Sequence, residues 1–117
     1  RDMIACFEGG GTVTYMSPVC TAILGYEPQE LIGRKTFEVI HPHDVKRVHQ
    51  QFQDYVAQGP GAPSERIQYR AIHKDGHTVW VEAHPRAIYD TLTDRLIEIQ
   101  DVVRDISEQK QKGAKAA

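Results

Sequence analysis

The chain is predicted to adopt an α+β fold: a five-stranded antiparallel sheet with several short helices and one longer helix on one face. Three observations predict it. Two short β-branched segments open the chain and three strand-like segments close it, with every strong helical signal before the tail lying between them. A single apolar stripe, Val45, Val48, Phe52, Tyr55 and Val56, recurs at spacings of three and four and marks one long helix. So few helices can cover only one face of such a sheet.

Residues 3–7 read as the first strand, Glu8-Gly9-Gly10-Gly11 as a turn, and residues 12–16 as the second arm of a hairpin. The glycines lack the Gly-Lys-Ser/Thr ending of a phosphate loop and lead into a strand, so they are read as a turn. Ser17-Pro18 supplies a cap and a first-turn proline for a helix through Cys20, Ile23 and Leu24, which Gly25 stops. Residues 27–32 form a second helical turn closed by Gly33, and residues 36–40 a third. His41-Pro42-His43-Asp44 opens the long helix, which runs to about Ala57, and the Gly/Pro-rich residues 58–63 are a loop.

The second half alternates. Ile67, Tyr69 and Ala71 share a face, and Asp75-Gly76 turns the chain into a strand over residues 78–89. That strand carries Val79, Val81 and Ala83 on one face and Trp80, Glu82 and His84 on the other. In the final segment Ile97, Ile99 and Val103 share a face. The period then changes at Arg104-Asp105-Ile106-Ser107-Glu108, where Asp105 can cap a helix and Glu108 can reach back to it.

At 117 residues the chain holds one core. Its formal charge of -2, with both signs interspersed, offers no basic face for nucleic acid. No apolar run approaches the ~18 residues of a membrane span, so no direct membrane insertion is expected, and no signal peptide is visible. Cys6 and Cys20 have no Cys-x-x-Cys spacing and read as thiols of a reduced, cytoplasmic protein. The immediate entry into strand sequence after Arg1-Asp2 is read as a segment of a longer polypeptide, and residues 113–117 as a frayed tail. There is no nucleophile elbow and no His-Glu-x-x-His, and no histidine has the partners of a triad, so no catalysis is expected of this segment. His41, His43 and Asp44 could suggest a metal set, but a helix start explains them, and no metal site is expected.

Six motifs in order resemble a PAS domain, the small sensor module of bacterial signalling proteins. They are residues 11–18, Leu24-Gly25-Tyr26 through Gly33, His41-Pro42-His43-Asp44, Tyr69-Arg70 with Lys74-Asp75-Gly76, Val79-Trp80-Val81-Glu82, and Val103 to Glu108. The Asp105-Ile106-Ser107 step is similar to the family's Asp-Ile-Thr motif, where the last strand leaves for an output helix. The resemblance implies a sheet cupping the helices around a cavity, with residues 1–107 as sensor domain and 108–117 as the start of a signalling helix. It also implies a parent protein that is a sensor histidine kinase or a cyclic-dinucleotide synthase or phosphodiesterase, with a C-terminal output domain as partner; the alternative to a ligand-binding sensor is a ligand-free dimerisation spacer with a filled cavity.

The expected cavity residues are Val48, His49, Phe52, Tyr69, Val79, Val81, Ala83, Ile97, Ile99 and Asp101, and the expected junction is Arg104, Asp105, Ser107 and Glu108. Asp101 continues the inward alternation of Ile97 and Ile99. A lone buried carboxylate needs a partner, which could be a ligand, a water, His49 or Tyr69; a bulge turning it to solvent is the open alternative. Trp80, Glu82 and His84 face away from the cavity and are expected to be covered by a second copy in a homodimer, or by a further helix. The expected cofactor is none or an unidentified small molecule. Haem would use His49, which falls on the helix that carries the axial histidine in haem-binding relatives. A cysteinyl-flavin photosensor is excluded by the resemblance, because Gly33-Arg34 continues into Lys35-Thr36 where that class has Asn-Cys.

Overall fold

The computed structural model describes residues 2–116, with side chains through Gly113. The strands are β1 (Asp2–Phe7), β2 (Val13–Met16), β3 (Ile67–Ile72), β4 (Thr78–Tyr89) and β5 (Leu96–Asp105). They form one antiparallel sheet in the order β2-β1-β5-β4-β3, so the last strand lies at its centre. Helices α1 (Cys20–Leu24), α2 (Pro28–Leu31) and α3 (Pro42–Ala57) and a 3₁₀ turn (Thr36–Val39) connect β2 to β3, and α4 (Ser107–Ala116) follows β5. The predicted sheet, its helices and their order are therefore observed. The tail expected to fray from residue 113 is helical to Ala116, and Ala117 lies outside the described residues.

Alternation builds the core. Met3, Ala5 and Phe7 of β1, Val79, Val81 and Ala83 of β4, and Ile99 and Val103 of β5 are all buried on the face that meets the helices. Leu24 and Leu31 close over them from α1 and α2, and Val48 of α3 packs with Ile40 and Ile67 in a second cluster. Ser17 does not cap α1 as expected. Its Oγ accepts from the Ile4 amide at 2.8 Å, which ties the start of the helical segment to β1 instead. Gly25 ends α1 at φ 78°, and a Cβ there would lie 2.3 Å from the His73 ring, so helix and β3–β4 hairpin approach closely only through this glycine.

Polar contacts fix α3 on the sheet, chief among them those of Asp44 and Tyr55. Asp44 does more than complement the helix start. Its carboxylate accepts from the Arg70 amide at 2.8 Å and from the Arg70 guanidinium at 3.0 and 2.7 Å, joining α3 to β3. The Tyr55 hydroxyl accepts from the Ala87 amide at 3.0 Å, in a stretch of β4 that runs past the end of β3. The same overhang explains Pro85 inside a central strand. Its carbonyl accepts from the Ser64 hydroxyl, and its nitrogen points along the same edge, where no β3 residue waits for an N–H.

Candidate functional site

Between the sheet and the helices lies a cavity of about 360 Å³, within the usual ~300–1,000 Å³ of small-molecule sites. Small side chains on the sheet make the room. Ala5, Ala71 and Val81 line its floor with Ile99 and Val103, while Phe7, Phe37 and Phe52 form its aromatic wall. Phe7 and Phe52 meet edge to face at 5.6 Å, joining β1 to α3. The rim includes three exposed charged residues. Arg34 is paired with Glu38 at 3.1 Å, and the Lys35 ammonium donates to the Gly10 carbonyl at 3.1 Å.

Asp101 is the one buried acid of the cavity lining. It is 3% exposed, in register between Ala5 of β1 and Pro85 of β4. Neither neighbour can donate from its side chain. Its Oδ1 has no hydrogen-bond partner among the described residues. Burial pushes the carboxyl up to about 7, only partly offset by the nearby amides of His84 and Val102. Tyr69 also lines the cavity, and burial, then the Asp101 charge, push its hydroxyl above the usual phenol range. The two alternatives left open for Asp101 thus resolve: it faces inward, and the bulge lies elsewhere.

That bulge removes a predicted site residue. Ile88 pairs with Glu98 and Tyr89 with Leu96, which leaves Ile97 without a partner and 56% exposed. An unpaired bulge residue leaves the alternation of its strand, so Ile97 does not reach the cavity. Three further corrections come from packing. Val48 and Ala83 are fully buried in side-chain contacts and contribute no cavity wall. Val79 is likewise core. His49, Phe52, Tyr69, Val81, Ile99 and Asp101 are the predicted residues that the fold brings together there. Phe7 was missed, although it continues the alternation of Met3 and Ala5. Phe37 sits in a 3₁₀ turn, where no periodic signal marks its direction.

His49 packs edge to face on Phe37 at 4.7 Å. A metal-bound histidine usually has its second ring nitrogen held by a carboxylate, a carbonyl or a water; among the described residues no such group bonds to His49, so the chain itself supplies no support of that kind for a haem ligand. His41 and His43 stay at the helix start, where His41 Nδ1 accepts from the His43 amide at 3.0 Å. A histidine–aspartate cluster that the sequence reading overlooked, His73, Asp75 and His77, occupies the β3–β4 turn. Its groups already serve the turn, with Asp75 Oδ1 accepting from the His77 amide and His73 Nδ1 from the Asp75 amide.

At the junction, Val81 pairs with Asp105, and the Ile106 amide donates to the Trp80 carbonyl at 2.9 Å. Asp105 Oδ1 accepts from the Ser107 amide at 2.8 Å, whereas Glu108 turns away to pair with Lys112 at 3.2 Å. Arg104 pairs with Asp2 at 3.2 Å. Ile106, absent from the expected junction, is its buried pivot at 4% exposure. Helix α4 also changes the picture of the outer face. Lys110 lies 4.5 Å from the Trp80 ring centroid and Glu82 is engaged by Gln68 and Arg66, so the chain itself covers Trp80 in part. The open apolar residues on that face are instead Ile4, Tyr15 and Val102, with exposed His84 paired to Val102.

A family model described as PAS fold matches residues 13–100. Hypoxia-inducible factor 1-alpha of Gallus gallus is 35% identical over 78 residues, which are 67% of this chain and 9% of that protein. The chain thus spans under a tenth of that relative's length. The PAS domain of a protein from Colwellia psychrerythraea superposes with a TM-score of 0.80 at 23% identity, covering 92% of this chain and 87% of that one. A sensory box histidine kinase/response regulator from Burkholderia thailandensis gives 0.77 at 22% identity, covering 98% and 84%. At these identities the two structures speak for the fold alone. With the 2-1-5-4-3 sheet, the helices over one face and three quarters of its length matched by the family model, the chain belongs to the PAS fold family.

Proposed function

We propose that this domain is a ligand-binding sensory module that passes cavity occupancy through β5 to an output domain beyond α4, a histidine kinase in the first instance. One observation carries the reading: Asp101, whose Oδ1 is buried in the cavity without a partner among the described residues, lies on the central strand four residues before Asp105, where that strand becomes a helix. A ligand that engages β5 differently in two states shifts the balance between them, and α4 is the element that feels the shift. A sensory box histidine kinase/response regulator that shares this fold is one protein with that class of output. The free thiols Cys6 and Cys20 favour a reducing, cytoplasmic setting, and among the described residues no helix is long and apolar enough to cross a membrane. In the parent protein, Asp105→Ala should change output while leaving ligand affinity within about threefold. Unchanged output would remove the junction from the mechanism.

A homodimer is the companion reading. Ile4, Tyr15 and Val102 are 37%, 47% and 41% exposed on neighbouring strands of the outer face, the kind of apolar surface a second copy covers. Val102→Lys should shift a dimer to monomer in sedimentation experiments. A chain that is monomeric before the substitution, or dimeric after it, would count against this face.

A further inference from the structure

We propose that the cavity selects a small, mainly apolar molecule bearing one neutral hydrogen-bond donor, a hydroxyl or an N–H, which docks on Oδ1 of Asp101. This rests on the ligand-binding reading above and names the chemistry of that ligand. The walls ask for an apolar body: Ala5, Phe7, Val81, Ile99 and Val103 on the sheet side and Phe52 of α3 opposite. Against them stands one buried carboxyl oxygen without a partner, an acceptor when Asp101 is ionised or carries its proton on Oδ2. Native structures rarely leave such an atom unpaired, because burial strips its water and returns nothing.

The number of donors the site can satisfy decides the charge of the ligand. An ammonium carries three donors and loses strong hydration on entry. Around Asp101 the cross-strand neighbours are Ala5 and Pro85 and the same-face neighbours along β5 are Ile99 and Val103, none of which offers a side-chain acceptor; the Tyr69 hydroxyl, which feels the Asp101 charge across the cavity, adds one, still short of the three an ammonium needs. A single hydroxyl or N–H makes one bond and leaves nothing stranded. The rim cations do not call for an anion either, since Arg34 is paired with Glu38 and Lys35 with the Gly10 carbonyl. The remaining occupant of comparable chemistry is a water, which would satisfy Oδ1 without selecting any ligand.

Matched probes separate these cases. The chain is titrated calorimetrically with indole and 1-methylindole, with benzyl alcohol and its methyl ether, and with benzylammonium. The N–H and O–H members should bind roughly tenfold tighter than their methylated partners, a single hydrogen bond of discrimination, and benzylammonium should bind weakest. In Asp101→Leu, which keeps an apolar side chain of similar size, each pair should become equal. In Asp101→Asn, which retains an acceptor oxygen, part of the preference should remain. Equal binding of the pairs by the wild type means a water already satisfies Asp101; the donor subsite is then refuted while ligand binding stands. Tightest binding by benzylammonium also refutes it. Binding of none of the five probes overturns both the subsite and the ligand-binding reading beneath it.

Discussion

Two aspartates of this domain sit in opposite electrostatic situations, and the difference sets its response to pH. Asp44 is buried against Arg70, whose guanidinium and amide hold its carboxyl well below the usual carboxylate range. Its contribution is complete above the ordinary value of 3.8 and is lost as pH falls below it. Asp101 is buried without a cation, and its proton stays on to about 7 in the folded chain, against 3.8 when exposed. Across that window the folded state binds more protons than the unfolded state, so stability falls as pH rises from about 4 to about 7. At ~1.4 kcal/mol per pH unit the loss is on the order of 4 kcal/mol. The combined contribution of these two groups is therefore largest near pH 4 to 5. Thermal unfolding between pH 4 and pH 9 should show a wild-type midpoint that drops toward pH 8. Asp101→Asn should flatten that limb and unfold at higher temperature at pH 8. Identical slopes in the two proteins would show that Asp101 ionises freely in the folded state.

The elements were legible in the sequence wherever a period persisted. The stripe from Val45 to Val56 gave α3, and alternation gave β3, β4 and most of β5, hence the inward faces of Tyr69, Val81, Ile99 and Asp101. Reading failed where the period breaks. Alternation alone puts Ile97 inward, but the β4–β5 bulge falls at that residue, and a bulge is a property of two paired strands that one strand's sequence does not carry. Phe37 belongs to a 3₁₀ turn too short to have a periodic face. Packing density is equally hidden: Val48 and Ala83 lie on the predicted inner faces, yet their neighbours leave no space beside them. The β5–α4 junction was read in outline. Asp105 holds the Ser107 amide as a capping residue does, but Glu108 pairs forward along the helix, and the anchoring role of Ile106 depends on a β4 carbonyl distant in sequence.

At the scale of the whole molecule, the central strand joins three surfaces. Its inner face gives Asp101 to the cavity, its outer face gives Val102 to the open apolar patch, and its end gives Ile106 and α4 to the edge of Trp80. A ligand on Asp101 and a helix on Trp80 thus act on one strand. Trp80 is the chain's single tryptophan, and the Lys110 ammonium stands 4.5 Å over its ring, so its fluorescence reads the seating of α4 directly. Titration with benzyl alcohol, followed by Trp80 emission beside calorimetry, tests whether the cavity and the helix are coupled. The coupling predicts an emission change that saturates with the calorimetric isotherm in the wild type and is lost in Asp101→Leu. Benzyl alcohol binding with Trp80 emission unchanged would contradict it.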